Sequence, residues 1–173
     1  DTSGWTPRLG GYLSVRREGA DNTGHSFEHN GRTSFIMGPK HALKTQCFVE
    51  GGRYAFDAKM KLLDEDGNPF VCDKTHHWID ESSCPILSFQ VESESGKSWS
   101  YYGNHATDPW QADAWNPFNT FFTITKEIAD ATDAYFYIER PRAGVTLIID
   151  EIVISRDCTT LIPNHDAEVS AYI

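Results

Sequence analysis

Four cysteines, Cys47, Cys72, Cys84 and Cys158, carry the chemistry easiest to read from the chain. An even count suits two disulfides formed in an oxidising compartment. Three pairings are open. Cys72 with Cys84 closes a short loop and needs no long-range assumption; Cys47 with Cys158 then follows by elimination. On this reading no cysteine is free and the chain is secreted or held at a cell surface. The metal alternative would use Cys72, His76, His77 and Cys84, a set without the Cys-x-x-Cys knuckle of structural zinc sites. The His76-His77 pair reads more simply as a polar loop feature.

The acidic residues point away from catalysis. Asp64-Glu65-Asp66-Gly67-Asn68 has the composition of a calcium loop, but the twelfth-position Glu of an EF-hand is missing, and a β-turn explains the run better. Glu92 and Glu94 share one strand face, yet Ser93, Ser95 and Gly96 around them mark an exposed strand end rather than the paired carboxylates of a glycoside hydrolase. There is no Gly-x-Ser-x-Gly elbow, no phosphate-binding glycine-rich loop and no His-Glu-x-x-His. The chain is not expected to be an enzyme, and a sandwich-fold glycanase ranks last among the readings.

With 25 acids against 15 bases the formal net charge is −10, which argues against nucleic acid or an anionic membrane as partner. A neutral ligand or cations remain compatible. No stretch of 18 apolar residues occurs, so no membrane insertion is expected. Asp1-Thr2-Ser3-Gly4-Trp5 has neither a basic n-region nor an apolar h-region, so no signal peptide is expected in the chain. At 173 residues, 39% of them hydrophobic, the chain suits one domain with its own core.

The elements that must position any site are strands. Residues 53–62 alternate, with Tyr54, Phe56, Ala58, Met60 and Leu62 on one face. Further strand-like runs cover 12–16, 85–92, 98–102, 118–125, 134–139 and 145–155, rich in Val, Ile, Thr and aromatics. Gly51-Gly52, Asp66-Gly67-Asn68-Pro69, Ser95-Gly96-Lys97 and the segment 140–144 break them apart. No run of ten residues has helical periodicity, and residues 128–132 allow one short turn. About eight strands joined by long loops, notably 64–84 and 103–117, imply an all-β sandwich of two antiparallel sheets.

The order of these segments resembles a known group. Gly31 through Pro39, then Leu43, then Gly51-Gly52-Arg53-Tyr54-Ala55-Phe56-Asp57-Ala58-Lys59-Met60-Lys61-Leu62 is similar to carbohydrate-binding modules of families 4, 9, 16 and 22. Trp115 with Phe121-Phe122-Thr123-Ile124, the run Ala134-Tyr135-Phe136-Tyr137-Ile138-Glu139, and Gly144-Val145 through Asp150-Glu151-Ile152-Val153-Ile154 are similar to their later strands. The resemblance covers most of the chain and implies a galactose-binding-like jelly roll. Two features depart from it: the long Cys72–Cys84 loop, and the absence of an opening strand near "N-x-x-F-E". Leu161-Ile162-Pro163-Asn164-His165-Asp166-Ala167-Glu168 is similar to that strand. The expected division is therefore a domain over 1–160 and, over 161–173, the first strand of a following repeat, which completes this domain or exchanges with a neighbouring molecule.

The resemblance further implies a structural calcium ion tying first strand to last, with Asp150 and, if the tail fills the first-strand place, Glu168 as carboxylate ligands. Without an ion, Asp150 must cap a loop amide instead, because a strand-centre carboxylate beside Ile148, Ile149 and Ile152 is costly unpaired. The implied partner is extracellular polysaccharide, bound by sugar faces stacking on aromatic rings, with amides and carboxylates bonding the hydroxyls. Trp99 and Tyr101, two apart, share a strand face, and Gln90 lies on the preceding run. Trp78, Tyr102, Asn104 and Trp110 fall in or near the long loops and join the expected set; Trp115 and Phe118 match positions that are usually core. The alternative function is a structural or adhesive repeat of a cell-surface or wall protein that makes protein contacts on the same fold.

Overall fold

The computed structural model describes residues 4–20, 24–73, 83–94 and 96–156, together with the backbone of 170–171. Its long strand over Arg53–Leu63 buries every second residue, as the alternation in the sequence requires. In chain order the strands are β1 (Trp5–Arg8), β2 (Tyr12–Arg16), β3 (Ser26–Asn30), β4 (Gly38–Ala42), β5 (Arg53–Leu63), β6 (Ile86–Ser93), β7 (Gly96–Gly103), β8 (Asn116–Thr123), β9 (Asp133–Glu139), β10 (Thr146–Arg156) and β11 (Ser170–Ala171). One four-residue helix, α1 (Lys126–Ala129), starts where the Thr125 side chain accepts the Ile128 amide.

Two antiparallel sheets result, ordered β1-β4-β9-β6-β7 and β2-β3-β10-β5-β8. This is the expected jelly-roll sandwich. It contains more strands than expected because β1, β3 and β4 are short and carry Pro, Gly, Glu and His. The apolar faces meet in an aromatic core. Phe89 and Phe122 have ring centroids 4.7 Å apart, and Phe56 lies 5.9 Å from Phe118 and 5.8 Å from Phe136.

β10 is irregular. Its register against β5 shifts between Asp150 and Val153, and Glu151 adopts φ 51°. The bulge changes the strand's parity, so Leu147 and Ile149 face the core before it and Ile154 after it. β3 pairs with residues 147–149, and beyond the bulge Ser170–Ala171 pairs with Ile154–Ser155, opposite β5.

Cys72 and Cys84 are joined as expected, 12 residues apart with Cα atoms 4.9 Å apart. Cys47 ends a 3-10 turn over Thr45–Cys47 and is an exposed free thiol among the described residues; the expected bond to Cys158 falls on a residue outside them. Cys158, like His76, His77, Trp78 and Glu168, lies outside the described residues.

The acidic turn also forms as expected. The Asp64 carboxylate accepts the amides of Asp66 at 3.0 Å and Asn68 at 2.8 Å, and these bonds hold its pKa below the ordinary value. Glu92 pairs with Lys97 at 3.4 Å, and Asp133 stands opposite it across the β6–β9 ladder.

Candidate functional site: the outer face of the five-stranded sheet

Ladder register decides which side chains share the outer face of β1-β4-β9-β6-β7. Phe89, Leu87, Phe136 and Ile138 turn inward to the core. The alternate positions therefore turn outward. One row across the sheet runs Tyr101, Ser88, Tyr137, Lys40, Thr6, and the next runs Trp99, Gln90, Tyr135, Ala42. Trp99 and Tyr101 remain 45% and 54% exposed, about 7 Å apart along the strand. Large aromatic rings this open on a regular strand are not held there by packing.

Polar groups border the rings. Glu139 closes β9, with Oε1 accepting from Ser88 Oγ at 2.8 Å and Oε2 lying 3.3 Å from Arg8 Nη1. Burial pushes the Glu139 carboxyl above its ordinary pKa, although Ser88 and the charges of Arg8, Arg140 and Arg32 pull the other way. Tyr137 is raised too, by burial first and then by the Glu139 charge. Each tyrosine of the face has a cation over its ring: Arg8 lies 4.0 Å from the Tyr137 centroid, Lys40 4.4 Å from Tyr135, and Arg140 5.3 Å from Tyr101.

Arg32 fixes the end of this face from beneath. Its buried guanidinium donates to the carbonyls of Met37 (3.0 Å), Pro141 (2.7 Å), Arg142 (3.1 Å) and Val145 (2.9 Å). These bonds tie the β3–β4 connection to the β9–β10 turn that carries Arg140, whose own amide donates to Phe35 O at 2.9 Å. Burial lowers the Arg32 pKa to about 10.

The structure brings together Gln90, Trp99 and Tyr101 of the expected set and separates the others. Tyr102, one residue past Tyr101, turns to the opposite face and packs on Phe89 at 5.5 Å and Phe122 at 6.1 Å. Trp110 folds under its loop into the core. Asn104 is a loop brace: Nδ2 donates to Pro117 O, and Oδ1 accepts from the amides of Ala106 and Asn119. These three leave the candidate set because their rings or amides are already engaged inside the protein. Trp115, expected in the core, is instead half-buried under Lys61, whose Nζ is 5.1 Å from its ring centroid. Tyr135, Tyr137 and Glu139 were legible as the outward positions of the 134–139 alternation; Arg8, Lys40 and Arg140 had no such signal.

Asp150 stands as an amide cap. Oδ2 accepts from Ala20 N at 2.7 Å and Oδ1 from Glu151 N at 2.9 Å. Among the described residues no three of His, Cys, Asp and Glu cluster as metal ligands, so those residues alone do not make a calcium cage.

Solved structures similar to this chain share its two-sheet jelly roll, and several of them are carbohydrate-binding modules. The C-terminal family 22 carbohydrate-binding module of Clostridium thermocellum Xyn10B is 20% identical, with 93% of this chain and 91% of that one covered and a TM-score of 0.63. The CBM22-1 xylan-binding domain of Paenibacillus barcinonensis Xyn10C is 19% identical over 90% and 86%, with a TM-score of 0.61. A family 16 carbohydrate-binding module is 17% identical over 88% and 91%, with a TM-score of 0.51. No family model matches the sequence, and no curated protein matches it.

Proposed function

We propose that this chain is a non-catalytic, extracellular polysaccharide-binding module whose sugar chain lies on the outer face of the five-stranded sheet. One observation carries the reading: Trp99 and Tyr101 stay open, side by side, on a sheet whose inner face is fully packed. A pyranose face stacks on such a ring, and the Gln90 amide beside Trp99 supplies a donor and an acceptor for its hydroxyls. Xylan is the first polymer to test, because solved neighbours of this fold are xylan-binding domains. A glycan array that includes xylans, with calcium present and with Trp99→Ala and Tyr101→Ala as controls, tests the proposal. Binding that both substitutions abolish supports it; binding to no glycan contradicts it.

The second reading is an adhesive repeat, favoured by Tyr12 and Val15, which are exposed on edge strand β2. The calcium expected through Asp150 and Glu168 rests on the resemblance. A melting temperature that falls with excess chelator supports it, and an unchanged one leaves Asp150 as an amide cap alone.

A further inference from the structure

The charge on this face is opposite to that of the chain. The protein carries a formal −10, yet on this face Arg8, Lys40, Arg140 and Lys97 stand against Glu139, Glu92 and Asp133, with Arg32 buried behind them. At the far edge Lys97 is paired with Glu92, and Asp133 is exposed. Both oxygens of Glu139 are occupied, by Ser88 and Arg8. Arg140 is left over. It keeps a long ion pair with Glu139, Nε to Oε1 3.9 Å, beyond hydrogen-bond distance; its side chain is 16% exposed, and its Nε and Nη1 have no hydrogen-bond acceptor among the described residues. Guanidinium donors without partners are uncommon, and their planar fork fits a carboxylate through two parallel bonds. Arg140 lies beside Tyr101, one alternate strand position from the open ring of Trp99.

We infer that the ligand of this face is an acidic polysaccharide: a sugar ring stacks on Trp99, and a uronic-acid carboxylate of the same chain pairs with Arg140 beside Tyr101, with Lys40 and Arg8 as the neighbouring cations. This inference rests on the sugar-binding reading and specifies its ligand class. The rest of the protein repels a polyanion, so attraction must come from this face at short range, where a Debye length of about 8–10 Å leaves adjacent cations unscreened.

The test is a titration of wild-type protein at low salt with glucuronoxylan and with the same polymer after its carboxyl groups are reduced to alcohols. The reduced polymer should bind about tenfold more weakly, the fold-change expected from losing one charge-assisted pair. The gap should narrow with added salt, and Arg140→Gln should bind both polymers alike at the weaker level. Equal binding of the two polymers by the wild type overturns the acidic-ligand inference and leaves the sugar reading standing. Binding to neither overturns both. Binding of polyglutamate as tight as that of glucuronoxylan also overturns the inference, because the face would then be answering charge without sugar.

Discussion

Trp99 stands directly opposite Gln90 across the β6–β7 ladder, and Tyr101 stands opposite Ser88 two residues along. This register places two open rings on one face with the Gln90 amide beside Trp99, the arrangement that the proposed sugar binding uses. Truncating the rings should therefore cost binding and not folding. Trp99→Ala and Tyr101→Ala should each change stability by no more than about 0.5 kcal/mol, as exposed positions do, in urea melts.

Arg32 should behave in the opposite way. Lysine keeps the charge but cannot reach four carbonyls with a planar fork, so several buried acceptors lose their donor. Arg32→Lys should destabilise by about 2–3 kcal/mol in urea unfolding. A loss under about 0.5 kcal/mol would show that the clamp is not needed.

Glu139 gives a pH dependence. Its carboxyl is raised above the unfolded value of 4.5, so the folded state holds the proton more tightly. The stability this contributes is present below the unfolded pKa and lost as pH rises from about 4.5 through the raised folded value. The stability of wild type minus that of Glu139→Gln should therefore fall as pH climbs through that window. A flat or rising difference would contradict the burial of the group.

Asp150 caps two amides, and an Asn side chain can cap one while its NH2 opposes the other. Asp150→Asn should cost about 1–3 kcal/mol by thermal melting. The Cys72–Cys84 bond closes a loop of 12 residues' separation, and its reduction should cost about 3 kcal/mol.

The sequence and the fold agree where alternation is uninterrupted. β5 reads directly from Tyr54, Phe56, Ala58, Met60 and Leu62, because period two survives over its whole length. β10 does not, because the bulge after Asp150 changes parity between the apolar triplets Leu147-Ile148-Ile149 and Ile152-Val153-Ile154. β4 is hidden by its glycine: Gly38 is needed there because a Cβ would run into the Ile138 carbonyl, a contact that local propensity does not encode. The site divides in the same manner. Trp99 and Tyr101 follow from spacing alone, and Tyr102 is misplaced because one residue along a strand reverses the face. Trp110 and Asn104 lie in a loop that folds inward, and Arg8, Lys40 and Arg140 reach the face through β1–β4 pairing and the β9–β10 turn. These are long-range relationships with no local signature.

The most direct measurement of the central claim is tryptophan fluorescence during titration with xylohexaose, for wild type and Trp99→Ala at matched melting temperature. A sugar stacked on the outer face should give a saturable spectral change in the wild type and none in Trp99→Ala, with affinity down by at least about tenfold. An undiminished, saturable change in Trp99→Ala would place the sugar elsewhere and contradict the assignment of this face.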